Sequence, residues 1–413
     1  MKHILTILFL FVINYSFANT IVVGRNKPVS SIKKAVEMAK SGDTILIKKG
    51  TYKEGNIIID KPLSLIGEDD PVLDGEKKTE ILTITTSFVV IKGLHLINAG
   101  YSSVNEHAAI TVENAANVVL ENNTILNAYF AIHVADAVDC IIRNNYIKGK
   151  PKQEETTGNG IHLWKCDNVL IRENEIQGHR DGIYFEFVTN SLILENYSHQ
   201  NLRYGIHFMF SNDDSYYGNT FQDNGAGVAV MYSKRVVMQK NTFLHNWGPN
   251  AYGLLLKEIS DAQIIDNDFN RNTAAIVMES TSRINVFNNR FINSGWAMRI
   301  QASCTDNFVY NNDFYANTFD VSTNGTLSLN KFYHNYWDKY EGYDMNKDGV
   351  GDVPFHPVSM YSMVVEQSPN AVILMRSFIV SLLDKAEKAI PSLTPENLVD
   401  TAPAMKKNYY DQN

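Results

Sequence analysis

Short apolar strands at a near-constant period predict an all-β chain wound as a parallel β-helix. Two observations carry this. Asn recurs at Asn123, Asn145, Asn174, Asn196, Asn219, Asn241, Asn267, Asn289 and Asn312, with spacings of 22, 29, 22, 23, 22, 26, 22 and 23 residues. A Gly or Ala opens a four-residue strand at Ala109, Ala131, Gly160, Gly182, Gly205, Gly227, Gly253, Ala275 and Ala297, 14 residues before the next Asn in every case but the last, where it is 15. A period near 22 with several short strands per unit is a solenoid signature, because one coil cannot bury its apolar face alone. Nearly all length variation falls between each Asn and the next opener.

Composition agrees. The chain has 413 residues, a formal net charge of −8, 44% apolar residues and 44 Asn. It is too apolar and aromatic to be disordered and too acidic to track a nucleic-acid backbone by charge. Asn favours turns, so an excess of it in a folded chain asks for many corners. Stacked Asn side chains can hydrogen-bond along a ladder, and Asn tolerates the left-handed backbone of a sharp corner. With weaker coils marked by Gly67, Gly93 and Asn330, about twelve coils at ~4.8 Å each make a rod of roughly 58 Å.

The elements follow in order. Met1–Ala18 has a basic start, an apolar run from Ile4 to Ile13 and small residues at Ser16 and Ala18. It reads as a secretory signal cut after Ala18, since the run is about half of what a spanning helix needs. Ser31–Lys40 carries an apolar stripe at Ile32, Ala35, Val36 and Ala39; it reads as a short helix capping the first coil. The solenoid occupies 19–340, an acidic loop 341–357, and a C-terminal helix with an extended tail 358–413. Cys140, Cys166 and Cys304 form no disulfide framework. Cys166 and Cys304 lie at the same place on coils roughly 29 Å apart, beyond disulfide reach.

Within each opener strand the second and fourth residues are apolar and point inward, so the third and fifth point out. The third position reads Thr111, His133, His162, Tyr184, His207, Ala229, Leu255, Val277, Arg299; the fifth reads Glu113, Ala135, Trp164, Glu186, Met209, Met231, Lys257, Glu279, Gln301. One outer face thus gathers His133 and His162, on adjacent coils and near enough to share one ion, and His207, Met209 and Met231 as a second cluster. Imidazole with thioether is a soft donor set suited to Cu(I), while stacked rings alone would serve as support or a docking patch. The long insertions, near Gly100–His107, Lys148–Asn159 and Trp247–Ala251, all precede face strands and build a rim.

Asp344-Met345-Asn346-Lys347-Asp348-Gly349-Val350-Gly351-Asp352 matches the first half of a calcium loop. Asp344, Asn346, Asp348 and Asp352 are its oxygen ligands, but Phe355 stands where the closing Glu belongs. A Ca²⁺ site and a plain acidic turn both fit. Asn370–Ile390 reads as a helix, apolar on more than one side yet too charged to span a membrane; it caps the rod's second end or docks into a partner. Pro391, Pro395 and Pro403 keep the last segment extended.

The C-terminal third also carries Asn335-Tyr336-Trp337-Asp338, Gly342-Tyr343-Asp344, Asp348 through Pro354 and Pro357-Val358-Ser359, then Leu393-Thr394-Pro395, Leu398-Val399-Asp400 and Ala402-Pro403. In that order these segments resemble the NosD family, over essentially the mature chain. The generic coils are similar to pectin-lyase-like solenoids. The resemblance implies a single-stranded right-handed parallel β-helix in the periplasm. It also implies a non-enzymatic role in assembling the copper-sulfur centre of nitrous oxide reductase, alongside the ABC transporter subunits NosF and NosY and the copper chaperone NosL. Membrane association would then run through a partner. The His and Met face rests on the residues alone, not on the resemblance. The opposing reading is a polysaccharide lyase or epimerase, for which His179-Arg180-Asp181 is the best acid/base candidate. That chemistry wants cations against a uronate, and Lys257 and Arg299 stand isolated. A passive surface adhesin is a third reading, and it needs no His and Met face.

Overall fold

The fold is seen in a computed structural model that describes residues 18–101, 107–151, 153–154, 157–325, 329–375, 377–389 and 398–408. The expected secretory signal, apart from Ala18, lies outside the described residues, as do Pro391 and Pro395. Three parallel sheets of 14, 12 and 13 strands run the length of the chain. Successive strands go to the first, third and second sheet in turn, so the chain winds as a parallel β-helix. The second sheet, from Ile57–Ile59 to Phe319–Thr323, contains the opener strands and is the face sheet.

The N-terminal cap is a helix over Ile32–Met38, with the Ser31 hydroxyl accepting from the Lys34 N–H. Its stripe of Ile32, Ala35, Val36 and Ala39 is buried against the first coil, as the helical period requires.

Inside, the inward columns form one continuous core. Phe221, Phe243, Phe269, Phe291, Phe314 and Trp337 stack coil on coil with ring centroids 4.0–5.3 Å apart. Each fully buried large side chain contributes about 1.5–3 kcal/mol.

The Asn markers form the expected ladder. Asn219 Nδ2 donates to Asn241 Oδ1 at 3.0 Å, and the Asn219 N–H reaches the same oxygen at 3.0 Å. Each marker also satisfies a main-chain carbonyl of the preceding coil, such as Ile193 O at 2.8 Å from Asn219 Nδ2. Buried amides so paired cost little, whereas an orphaned one costs ~1–3 kcal/mol.

Two details differ from the sequence reading. The left-handed residue is the one before each marker: Asn122, Asn144, Glu173, Glu195, Gly218, Lys240, Asp266, Asn288 and Asn311 all have φ between 53° and 67°. The marker is spared this conformation because its side chain must point inward to the ladder. The ladder also ends through Asn335, not Asn330. Asn312 bonds Asn335, and Asn335 Nδ2 donates to Asp400 Oδ2 at 3.0 Å. Asn330 pairs instead with Asn307, at 2.8 Å. Asp400 lies in the returning C-terminal segment, which bridges to Phe332, Tyr336, Val350 and Phe355.

The expected single helix over 370–390 is broken. A helix forms earlier, at Met360–Gln367, followed by a short 3-10 turn over Pro369–Leu374 and a helix over Phe378–Ala389. Ser359 caps the first through its hydroxyl. Tyr361, Val365 and Val380 pack with Phe319 and Trp296 of the face sheet. The hairpin therefore lies on the end of that face. Cys140, Cys166 and Cys304 are free and buried.

Candidate functional site

The strand registers place the predicted outer columns as read. Thr111, His133, His162, Tyr184, His207 and Ala229 are consecutive partners, as are Glu186, Met209 and Met231. The face is not fully open, however. His162 is 7% and His207 4% exposed, while His133, Tyr184, Met209 and Met231 stay half-buried, so the columns line a trough that is covered in part. Phe130 and Tyr204, the first residues of two face strands, pack over His162 and His207.

The rings form a continuous run. Centroids are 5.0 Å apart from His133 to His162, 4.7 Å from His162 to Tyr184 and 5.0 Å from Tyr184 to His207. Phe130 packs edge-on against His162 at 5.2 Å. Burial, then the neighbouring His133 and Arg180, depresses the His162 imidazole to about 3, so it is neutral at physiological pH, the form that ligates metal. The Tyr184 hydroxyl donates to Glu186 Oε2 at 3.3 Å and lies 3.5 Å from Met209 Sδ. Burial and the Glu186 charge push the Tyr184 phenol up to about 12, which keeps it protonated and a poor base.

His207 has a neighbour that the sequence reading did not assign to it. Asp181, fully buried, lies with Oδ2 3.8 Å from His207 Nδ1. That is within ion-pair range but too long for a hydrogen bond, and both His207 nitrogens lack a hydrogen-bond partner. Asp181 Oδ1 accepts the Tyr204 N–H at 3.3 Å, and the Tyr204 ring covers His207 at 4.8 Å. Arg203 stacks on Tyr204 at 4.6 Å and pairs with Glu154 of the second insertion at 3.7 Å. The sequence signal for Asp181 was its place just before an opener, one strand from His207.

The remaining candidates separate from this cluster. His179 is buried among coil corners, and its burial depresses it to about 4. Arg299 is not isolated: its guanidinium grips Glu366 of the C-terminal hairpin at 2.7 Å. Lys257 pairs with Glu279 at 3.7 Å. The cations a uronate would need are thus engaged. In the acidic loop the side chains serve the turn itself. Asp344 accepts from Lys347 and Gly349, Asp348 from Val350, and Asp352 from Met345, at 2.6–2.9 Å. Among the described residues no three His, Cys, Asp or Glu side chains are grouped to hold a metal ion, and calcium finds no support.

Sequence reasoning also missed an aromatic ridge beside the thioethers. Phe187, Phe210 and Tyr232 follow Glu186, Met209 and Met231, and stack at 5.3 and 5.0 Å while 37–45% exposed. All three have φ of 52–56°, unfavourable for bulky residues. Other coils place Asn114, Asp136, Lys165, Glu258 and Ser280 there.

Residues 143–347 match the family described as periplasmic copper-binding protein (NosD). Over those residues, about half of its length, the chain is similar to that family. A protein from Pseudomonas aeruginosa named as a probable ABC transporter binding protein NosD is 27% identical over 371 residues, 85% of this chain and 86% of that one. A namesake from Stutzerimonas stutzeri is 26% identical over 377 residues, 86% and 85% respectively. Two solved structures share the fold. The A-module of a mannuronan C-5 epimerase from Azotobacter vinelandii has a TM-score of 0.59 at 13% identity, over 71% of this chain and 92% of that one. A mannuronic acid specific family 6 polysaccharide lyase from human gut microbiota has 0.56 at 12%, over 91% and 99%. Both NosD relatives are named as binding proteins. Among the described residues no helix is long and apolar enough to cross a membrane.

Proposed function

We propose that the chain acts in the periplasm as a maturation factor for the copper-sulfur centre of nitrous oxide reductase, taking copper as cargo in the trough. The observation that carries this is the unbroken run His133–His162–Tyr184–His207 with Met209 and Met231 alongside. A neutral imidazole and thioethers suit Cu(I), and two to three such donors give a low-coordinate site that releases its ion readily. The Met and aromatic ridge is the surface that a copper donor, NosL in this reading, would meet. The C-terminal hairpin exposes Ile373, Phe378, Ile379 and Leu382, at 55–86%, an apolar patch suited to a transporter membrane subunit such as NosY, with NosF as its ATPase.

The lyase or epimerase reading is weaker, because Asp181 and His207 are buried and Lys257 and Arg299 are paired. Co-purification from the native host tests the choice. Recovery of an ABC transporter membrane subunit supports maturation. Ultraviolet-absorbing products from a uronate polymer, lost in Tyr184→Phe, overturn it.

A further inference from the structure

A cleft of about 930 Å³ lies between the last face strand, Phe319–Thr323, and the C-terminal hairpin. Asp320 stands at its wall. Asp320 occupies the opener column, which from Ala109 to Ala297 holds only Gly or Ala. There a side chain meets the next coil: a Cβ on Gly253 would sit 2.7 Å from the Ala275 carbonyl oxygen. The face sheet ends at Phe319–Thr323, so no later strand of that sheet stands against the Asp320 side chain.

Asp320 is 3% exposed, and its Oδ1 has no hydrogen-bond partner. Lys339 Nζ reaches Oδ2 at 3.2 Å but also donates to the carbonyls of Asn317 and Thr318, at 2.9 and 3.2 Å. The three N–H bonds of that ammonium are therefore spent. Burial raises the Asp320 carboxyl to about 6, Lys339 opposing, so at neutral pH it is mostly ionised and would gain from a second cation. Asp338, Glu341 and Glu387 line the same cleft, with the rings of Tyr343 and Tyr361. Asp338, Glu341 and Glu387 hold other partners, whereas Asp320 Oδ1 is a buried carboxylate oxygen without one.

Carboxylates beside aromatic rings, in a cleft of this size, select organic cations over anions and neutral ligands. We propose that this cleft binds an alkylammonium or guanidinium group, with Asp320 Oδ1 as its anchor and Tyr343 as a ring wall. The cation would be either a free amine or a basic side chain of a partner polypeptide. The site is independent of the copper reading.

Calorimetric titration of the full chain tests it, with n-butylammonium, acetyl-Gly-Lys-Gly-amide, acetyl-Gly-Arg-Gly-amide and, as the anion control, butyrate. Saturable binding of a cationic probe is expected, weakened about tenfold in Asp320→Asn, in keeping with loss of a charge-assisted hydrogen bond. Comparable affinity for butylammonium and the peptides indicates a free amine; tighter peptide binding indicates a polypeptide. Tyr343→Ala, at a ring 56% exposed, gives a second readout should Asp320→Asn loosen the coil end, and it too should weaken binding. Absence of saturable binding by every cation, preference for butyrate, or unchanged affinity in both variants overturns the proposal.

Discussion

Two columns of side chains run along the same coils and are chemically opposite. The inner corner column is Asn at every coil from Asn123 to Asn335, each amide bonded to the next. The outer trough column varies along the coils: Thr, His, His, Tyr, His, Ala, Leu. The corner position is fixed by neighbours identical to itself, so any other residue breaks two rungs. The trough position faces a rim, and its residues are free to vary. In this solenoid, repetition marks what holds the coils together, and departure from repetition marks where chemistry gathers. Asp320 makes the same point, as a carboxylate that ends a run of Gly and Ala from Ala109 to Ala297.

The sharpest way to break this contrast is to remove one member of each column. Asn219→Ala should cost about 3 kcal/mol in urea unfolding, because it orphans buried partners on both sides. His162→Asn should cost about 1 kcal/mol. Equal losses would make the trough column structural as well.

A pH series separates the inner and outer groups next. Burial raises the inward Asp214 carboxyl from 3.8 to about 8. The folded state thus keeps a proton that the unfolded chain gives up, and stability falls as pH rises through that window. Asp214→Asn should therefore gain stability over the wild type steadily from pH 4 to pH 8, by more than about 1 kcal/mol at the upper end. His162, on the outer face, titrates in the other direction. His162 is depressed from 6.5 to about 3, so its contribution is complete above pH 6.5 and is lost as pH falls toward 3. A flat difference between Asp214→Asn and wild type would contradict the inner assignment.

The smallest expected effect concerns the cover of the trough. Tyr204→Ala should speed diethyl pyrocarbonate modification of His207 several-fold, read by peptide mass, with little loss of melting temperature. An unchanged rate would mean that Tyr204 does not shield the imidazole.

The sequence made the coil architecture legible because period-two alternation and the Asn spacing are local signals repeated many times. The outer columns were legible for the same reason: once the period is known, registers such as His133 to His162 follow by counting. Burial was not legible, since the cover over His207 comes from Tyr204 and Arg203, whose reach depends on an insertion that obeys no period. The left-handed corner was misplaced by one residue because Asn serves both as ladder member and as turn former, and composition cannot tell the two apart. The C-terminal hairpin was misread because its apolar residues face two ways. Tyr361 and Val380 pack on the face sheet, while Phe378 and Ile379 stay exposed.

The most direct test is a Cu(I) titration of the purified protein, following His ring and Met methyl NMR signals. The account predicts that His133, His162 and His207 move together with the methyls of Met209 and Met231, and that the methyl of Met345 in the acidic loop does not respond. Saturation without change at the trough histidines, or binding confined to other His and Met residues, would contradict it.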